Sequence, residues 1–304
     1  MGFARAQPIL RARIAAGTSV TIKSIAGIDH AVIAVKDLDA AAQNWKQLGF
    51  TISPRGTHSA HMGTGNYTIM LGEDYMELLG VLAATEHNAP TRTYLERTGG
   101  GIERIAFTTL SAAAGAAEIR AMGYAPIGPT DFERPVTMPD GHKAAAKFAT
   151  FMWPTNEAPG GVRLFACQHK TRETVWIPEL QQHANTAARI ARVFVVTPKA
   201  EEDARHLAKM IAGEVRAGSD GSAEVPSGFG RADFVFLGRE ALGRRYPGVD
   251  VSTLPDRAGA GLELGANDLS AAQRAIGAKA VASGGALVVP PAAANGVLLA
   301  FVAG

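Results

Sequence analysis

The sequence predicts an α+β fold built from one unit, a strand, a helix and several further strands, used four times in a chain of 304 residues. Three observations lead there. Short apolar runs of strand length alternate with amphipathic helical stripes. The order of these signals recurs at a spacing of about 75 residues, which marks internal repetition. Each unit is too small to bury a sheet face by itself, so units must pair.

In the first unit, residues 28–35 form a buried strand. Asp37 is placed to cap a helix whose stripe is Ala40, Ala41, Trp45 and Leu48, and Gly49 ends it. Residues 50–81 read as three short strands, turned at Pro54-Arg55-Gly56, Gly63-Thr64-Gly65-Asn66 and Gly72-Glu73-Asp74. The second unit has a strand at 102–109, an alanine-rich helix from Leu110 to Met122 closed by Gly123, and strands near 125–128, 144–153 and 162–169. The third opens at 190–196, continues with a helix over 200–211 and has a later strand at 232–237. The fourth begins near Gly261-Leu262-Glu263-Leu264 and ends on a strand at 296–302. Its Asp268-Leu269-Ser270-Ala271-Ala272 echoes Asp37-Leu38-Asp39-Ala40-Ala41. The expected division is an N-terminal arm at 1–24, a two-unit domain at 25–187 carrying the site, and a degenerate two-unit domain at 188–304. Residues 181–187, after Pro178, form the link.

Composition narrows the function classes. With 47% hydrophobic and 19% charged residues the chain is globular rather than disordered. Thirty basic against 28 acidic residues leave a formal charge of +2, and no dense basic run carries interleaved aromatics. Nucleic acid and an anionic membrane are therefore not expected partners. Cys167 is the one cysteine, so no internal disulfide can form, which fits a reducing compartment. No apolar stretch approaches the roughly 20 residues that span a bilayer. Arg5, Arg11 and Arg13 precede no apolar signal core. A cytoplasmic protein acting on a small molecule is expected, either self-sufficient or as a homodimer.

Two residues carry the chemistry. His30 stands alone in an otherwise apolar strand, and Glu77 stands alone in Tyr75-Met76-Glu77-Leu78-Leu79-Gly80-Val81. Buried polar and charged groups are costly unless paired, and a divalent metal is the obvious partner for both.

Ile28-Asp29-His30, Asp37 to Ala41, Trp45, Leu48-Gly49-Phe50 and Tyr75-Met76-Glu77-Leu78 resemble the opening module of the vicinal oxygen chelate superfamily. That superfamily includes glyoxalase I, extradiol dioxygenases, epimerases, toxin-resistance lyases and metal-free antibiotic-binding proteins. Arg55-Gly56-Thr57-His58, Gly63-Thr64-Gly65-Asn66, Gln168-His169, Trp176 and His183-Ala184-Asn185 look more narrowly like its glyoxalase-like domain group. The resemblance covers residues 25–187 well and 188–304 weakly. It implies paired βαβββ modules forming cupped, incomplete barrels. It also implies one divalent metal (Fe, Zn, Mn or Ni) in the cup, chelating two adjacent oxygens of a substrate.

The expected metal ligands are His30, Glu77 and His169, two histidines and a carboxylate with open positions. A core histidine bonded to a carbonyl is the alternative for His30, and an ion pair with Arg104 the alternative for Glu77. The position matching His30 in the second unit falls at Ile102, Glu103 or Arg104, where no histidine stands. Gln168 and His169 face opposite sides of their strand, so one of them points into the cup. Glu77, Tyr75 and Arg104 are the expected catalytic residues: Glu77 to move a proton, Tyr75 to donate to an oxyanion, Arg104 to clamp a carboxylate or enolate. His58, Asn66, Gln168 and Trp176 are expected to meet substrate. The leading expectation is a metal-dependent lyase, isomerase or extradiol-type dioxygenase acting on a small molecule with adjacent oxygens. A metal-free small-molecule binding or resistance protein of the same fold is the alternative.

Overall fold

In the computed structural model, which describes residues 22–304, the first strand, β1 (Ile25–Val35), is buried along its whole length. That is the state of a strand covered on both faces, and it accounts for the near-continuous apolar run. Asp37 caps α1 (Leu38–Lys46) by accepting from Ala40 N at 2.9 Å. The helix lays Leu38, Ala41, Ala42 and Trp45 against the sheet. The chain returns through β2 (Gly56–Thr57) and β3 (Thr64–Met70) to β4 (Tyr75–Val81), which pairs parallel with β1. The expected arm falls outside the described residues except for 22–24.

The strand–helix–three-strand order recurs. β5 (Gly101–Thr109), α3 (Ala112–Ala121), β6 (Ile127–Thr137), β7 (Lys143–Met152) and β8 (Arg163–His169) follow a connecting helix, α2 (Ala89–Thr98). Next come β9 (Ala187–Val196), α4 (Ala200–Met210), β10 (Arg216–Ala217), β11 (Ala223–Pro226) and β12 (Asp233–Leu237). After α5 (Arg239–Arg245) the chain ends with β13 (Ala258–Ala266), α6 (Leu269–Ile276), β14 (Val281–Ser283), β15 (Ala286–Val289) and β16 (Leu298–Ala303). In each set the last strand runs parallel to the first.

The opening strands lie side by side in the order β9-β13-β5-β1, antiparallel to one another. The remaining strands branch outward, leaving an open sheet. β13 meets β5 at one residue pair, Gly259 with Ile102. A Cβ on Gly259 would lie 2.7 Å from Ile102 Cβ, so this junction requires glycine.

Three elements differ from expectation. The strand expected near 125–128 is the 11-residue β6, an exposed arm whose Asp131, Glu133 and Arg134 obscure an apolar alternation. α2 and α5 were not predicted. α2 starts on Pro90 in its first turn and ends at Gly99 in the left-handed region, φ 80°. Its polar sequence buries only Thr91, Tyr94 and Leu95. α5 and Tyr246 pack with Phe194, Val235, Leu237 and Val288 into a solid cluster on the C-terminal half. Tyr246 donates to Glu263, which also pairs with Arg192.

Candidate functional site

A cavity of about 470 Å³ opens where β1, β3 and β4 face β5, β6, β7 and β8. His30, Val32, Tyr75, Glu77 and Leu79 line it from the first unit. They sit at every second position of two parallel strands registered His30 with Tyr75 and Val32 with Glu77. Strand periodicity therefore brings this wall to one face.

Asp29 lies behind this wall and reaches it through a departure from that periodicity. Adjacent strand residues ordinarily point to opposite faces, but the β1–β5 register shifts between Ile28 and His30. The shift lets Asp29 reach His30 Nδ1 at 2.7 Å. The same carboxylate oxygen lies 2.9 Å from His169 Nε2, and its other oxygen accepts from Thr108 Oγ1 at 2.8 Å. Burial would raise the Asp29 pKa, but the charges and hydrogen bonds of His169 and His30 hold it well below the usual carboxylate range. An ionised carboxylate only accepts, so His30 Nδ1 and His169 Nε2 carry the hydrogens.

His30 therefore presents Nε2 to the cavity. Glu77 Oε2 lies 3.6 Å from it and the Tyr75 hydroxyl 3.4 Å. The Tyr75 ring stacks on the imidazole at 4.1 Å. Asn66 Nδ2 donates to Glu77 Oε1 at 2.7 Å, which turns Oε2 toward His30. Burial pushes the Glu77 pKa up, yet His30, His58, the Asn66 hydrogen bond and Arg104 together bring it below the usual glutamate value. Burial pushes the Tyr75 and Cys167 pKa values well up, so both stay protonated. Burial also lowers the His58 pKa, and His58 Nδ1 lies 2.8 Å from Thr64 Oγ1.

The second unit supplies a different pair. Gly27-Ile28-Asp29-His30 corresponds to Gly101-Ile102-Glu103-Arg104, each at the start of its unit's first strand. Arg104 thus stands where a second histidine would. Partner-strand registers place Glu77 one pair beyond His30–Tyr75 on the same face. The corresponding step from Arg104–Arg163 reaches Ala106–Phe165. Phe165 thus takes the place of a second carboxylate. Arg104 does not pair with Glu77. Its Nε is 3.1 Å from Glu103 Oε2, a contact that misses hydrogen-bond geometry, and Arg163 binds the other Glu103 oxygen. The terminal nitrogens of Arg104 have no hydrogen bond among the described residues.

Several expected site residues lie elsewhere. His169 turns Nε2 to Asp29, and its buried Nδ1 has no partner among the described residues, so it does not complete a His30–Glu77–His169 set. Gln168 points away from the cavity, its Oε1 accepting from Ala112 N at the start of α3. Trp176 does not line the cavity; it packs edge-on against His169 at 4.8 Å and Tyr75 at 5.5 Å, under Arg172. His58 and Asn66 do line it. Asp29, Thr108, Phe132, Arg134 and Phe165 went unnoticed in the sequence. Asp29 adjoins His30 in the chain, but its contacts with Thr108 and His169 are long-range ones that no local pattern signals.

Among the described residues, Asp29, Cys167 and His169 bring three possible ligand atoms within 4.8 Å of one another. Both Asp29 oxygens are already engaged, one by His30 and His169 and the other by Thr108. In the cavity His30 Nε2 and Glu77 Oε2 are two donors, faced by a guanidinium and a phenyl ring. These residues do not fit a catalytic centre with three or four protein ligands.

A family model described as "Glyoxalase-like domain" matches residues 28–211. No curated protein sequence matches the chain. A solved structure of a hypothetical protein from Staphylococcus aureus aligns with a TM-score of 0.66 at 13% identity, over 90% of this chain and 98% of that one. Methylmalonyl-CoA epimerase from Mycobacterium tuberculosis aligns with a TM-score of 0.41 at 20% identity, over 54% of this chain and 99% of its own. A methylmalonyl-CoA epimerase in complex with methylmalonyl-CoA and NH4+ is an alignment of the same kind, with a TM-score of 0.39, 21% identity, and 49% and 97% coverage. No helix among the described residues is long and apolar enough to cross a membrane.

Proposed function

Because the chain belongs to the glyoxalase-like domain family, we propose that it moves a proton at a carbon beside a carbonyl in a small molecule with adjacent oxygens. In this reading Arg104 holds those oxygens. The observation that carries it is the placement of Arg104 opposite the His30–Glu77 pair in one buried cavity. A guanidinium presents two parallel donors, which match a carboxylate, an α-keto acid or an enediolate. Charge that develops on oxygen as a C–H bond breaks would fall on Arg104 in a site of low dielectric.

Glu77 is the base. It is ionised, and Oε2 is free of the Asn66 bond. The C–H proton passes to Oε2, and the bonding electrons move onto the carbonyl oxygen facing Arg104. Between them, His30 Nε2 and Glu77 Oε2 hold one proton. The same pair returns it to carbon, on the original face or after the intermediate turns. Asp29 keeps His30 in the tautomer that offers Nε2 to this exchange. The outcome is isomerisation or epimerisation, or elimination where the adjacent carbon bears a leaving group. The His169–Asp29 bond counts against ring-cleaving dioxygenation, which calls for a second histidine on the metal. Residues 188–304, solid around Tyr246, are assigned a supporting role.

A metal-free binding protein is the rival reading, favoured by the same Arg104, whose terminal nitrogens make no hydrogen bond among the described residues. Proton exchange separates the two. Protein dialysed against EDTA is incubated in D2O with α-keto and α-hydroxy acids, and loss of the α-proton signal is followed by NMR. Enzyme-dependent exchange that falls by about 10³-fold in Glu77→Gln supports the proposal. Binding without exchange for any acid in the panel supports the rival. Exchange that appears only after a divalent ion is added back refutes the role given to Arg104.

A further inference from the structure

The main cavity does not end at its own wall. A second cavity, of about 130 Å³, shares Thr68, Arg134 and Val175 with it. Arg134 stands on the exposed hairpin arm β6 and closes both spaces. It makes no hydrogen bond or ion pair among the described residues, although it is half-buried. Its neighbours on the hairpin are matched: Asp131 takes Lys170 and Glu133 takes Lys147. On the far side of the small cavity, Arg55 is held by Asp39. Arg134 is thus a cation at the throat the two cavities share, paired with no carboxylate among the described residues although Glu77 and Asp131 line the same cavity, and His58 is close enough to feel its charge.

The wall between the two ends is largely apolar, carrying Phe132, Phe148, Met152 and Phe165. The Phe132 and Phe148 rings stack at 5.0 Å. A half-buried guanidinium gives up hydration, which an anionic ligand restores through charge-assisted hydrogen bonds. A single carboxylate on Arg104 leaves Arg134 unmet.

We infer that the substrate is a dianion: an oxygen-bearing head on Arg104, a short apolar body along the phenylalanine wall, and a second carboxylate or phosphate on Arg134 at the throat. This rests on the proton-transfer reading for the head and extends it to the tail.

The test is calorimetric titration of the whole chain with matched probes. α-Ketoglutarate and α-ketoadipate are compared with the monoanions α-ketovalerate and α-ketohexanoate, and 3-phosphohydroxypyruvate, an α-keto acid with a phosphate at its far end, stands as the phosphate arm. Wild type should prefer a dianion over its monoanion by about tenfold or more, the scale of one added charge-assisted bond. Arg134→Gln should reduce that preference to near unity, whatever its effect on the affinity common to both probes, with circular dichroism as the check that the fold is kept. Which dianion binds best, carboxylate or phosphate, names the tail. A wild type without preference, or a preference that survives in Arg134→Gln, overturns the inference. Glu77→Gln provides the separation from the parent reading. If it leaves proton exchange intact, the proton-transfer reading fails, and the Arg134 result still decides the tail.

Discussion

Asp74 offers a sharp test of how burial and pairing set stability. It is 3% exposed, and its two carboxylate oxygens accept from one donor, Ile190 N, at 3.1 and 3.2 Å. Burial raises its pKa to about 7, against the lowering effects of the Ile190 hydrogen bond and the Arg231 and Arg189 charges; the charge of Asp29 adds to the rise. An aspartate ordinarily titrates near 3.8, so the folded state holds the proton more tightly than the unfolded chain across that interval. Such a group contributes stability fully below the unfolded pKa and loses it as pH rises toward the folded one. The loss is about 1.4 kcal/mol per pH unit, on the order of 4 kcal/mol in all. Asp74→Asn removes the titration and keeps an acceptor for Ile190 N. Its amide hydrogens add a constant offset of about 1–3 kcal/mol, which pH does not alter. Urea unfolding of both proteins from pH 5 to 9 should therefore give a difference that moves in favour of Asp74→Asn up to pH 7 and then levels. A difference independent of pH would refute the assignment.

Three further outcomes are expected. Asp29→Asn keeps an acceptor oxygen but removes the negative charge that His30 and His169 share, which loosens the hold on the His30 tautomer, so kcat for proton exchange should fall by about 10²-fold with KM little changed; a change in KM alone would contradict a positioning role. Arg104→Lys replaces a two-donor fork with a point charge and should lower kcat/KM by about 10- to 100-fold, measured on the same exchange reaction with the best α-keto acid. Gly115→Ala drives a Cβ to 2.5 Å from Phe151 Cε1, within the packing of α3 on β7, and should cost about 1–3 kcal/mol by calorimetry.

Much of the fold was legible locally. Asp37 before an alanine-rich stripe, Gly49 and Gly123 after their helices, and apolar strands opening each unit are short-range signals, each with its own physical cause. His30 and Glu77 were legible for the same reason. A lone polar group in an apolar strand marks itself, and alternation carries Tyr75 and Glu77 to one face. Strand β6 was not legible beyond its first residues, because an arm with little burial obeys no hydrophobic period, whereas its partner β7 stands where a strand was expected. The C-terminal copy was harder to delimit, since α5 and Tyr246 interrupt the repeat.

The composition of the site belonged to the tertiary structure. Asp29 reaches His30 only because the pairing with β5 slips by a residue, and a register shift is a property of two strands rather than one. His169 turns to Asp29, 140 positions earlier in the chain, so its availability as a ligand was decided by a contact no local pattern encodes. Arg104 and Phe165 lay in plain view in the sequence. Their standing opposite His30 and Glu77 became visible only with the strand registers, which also bring in Arg134 from an exposed hairpin. Sequence by itself determines which segments can bury a face and which polar residues must find partners. Which partners they find depends on closure of strands distant in the chain, and that is where the chemistry of this cavity was set.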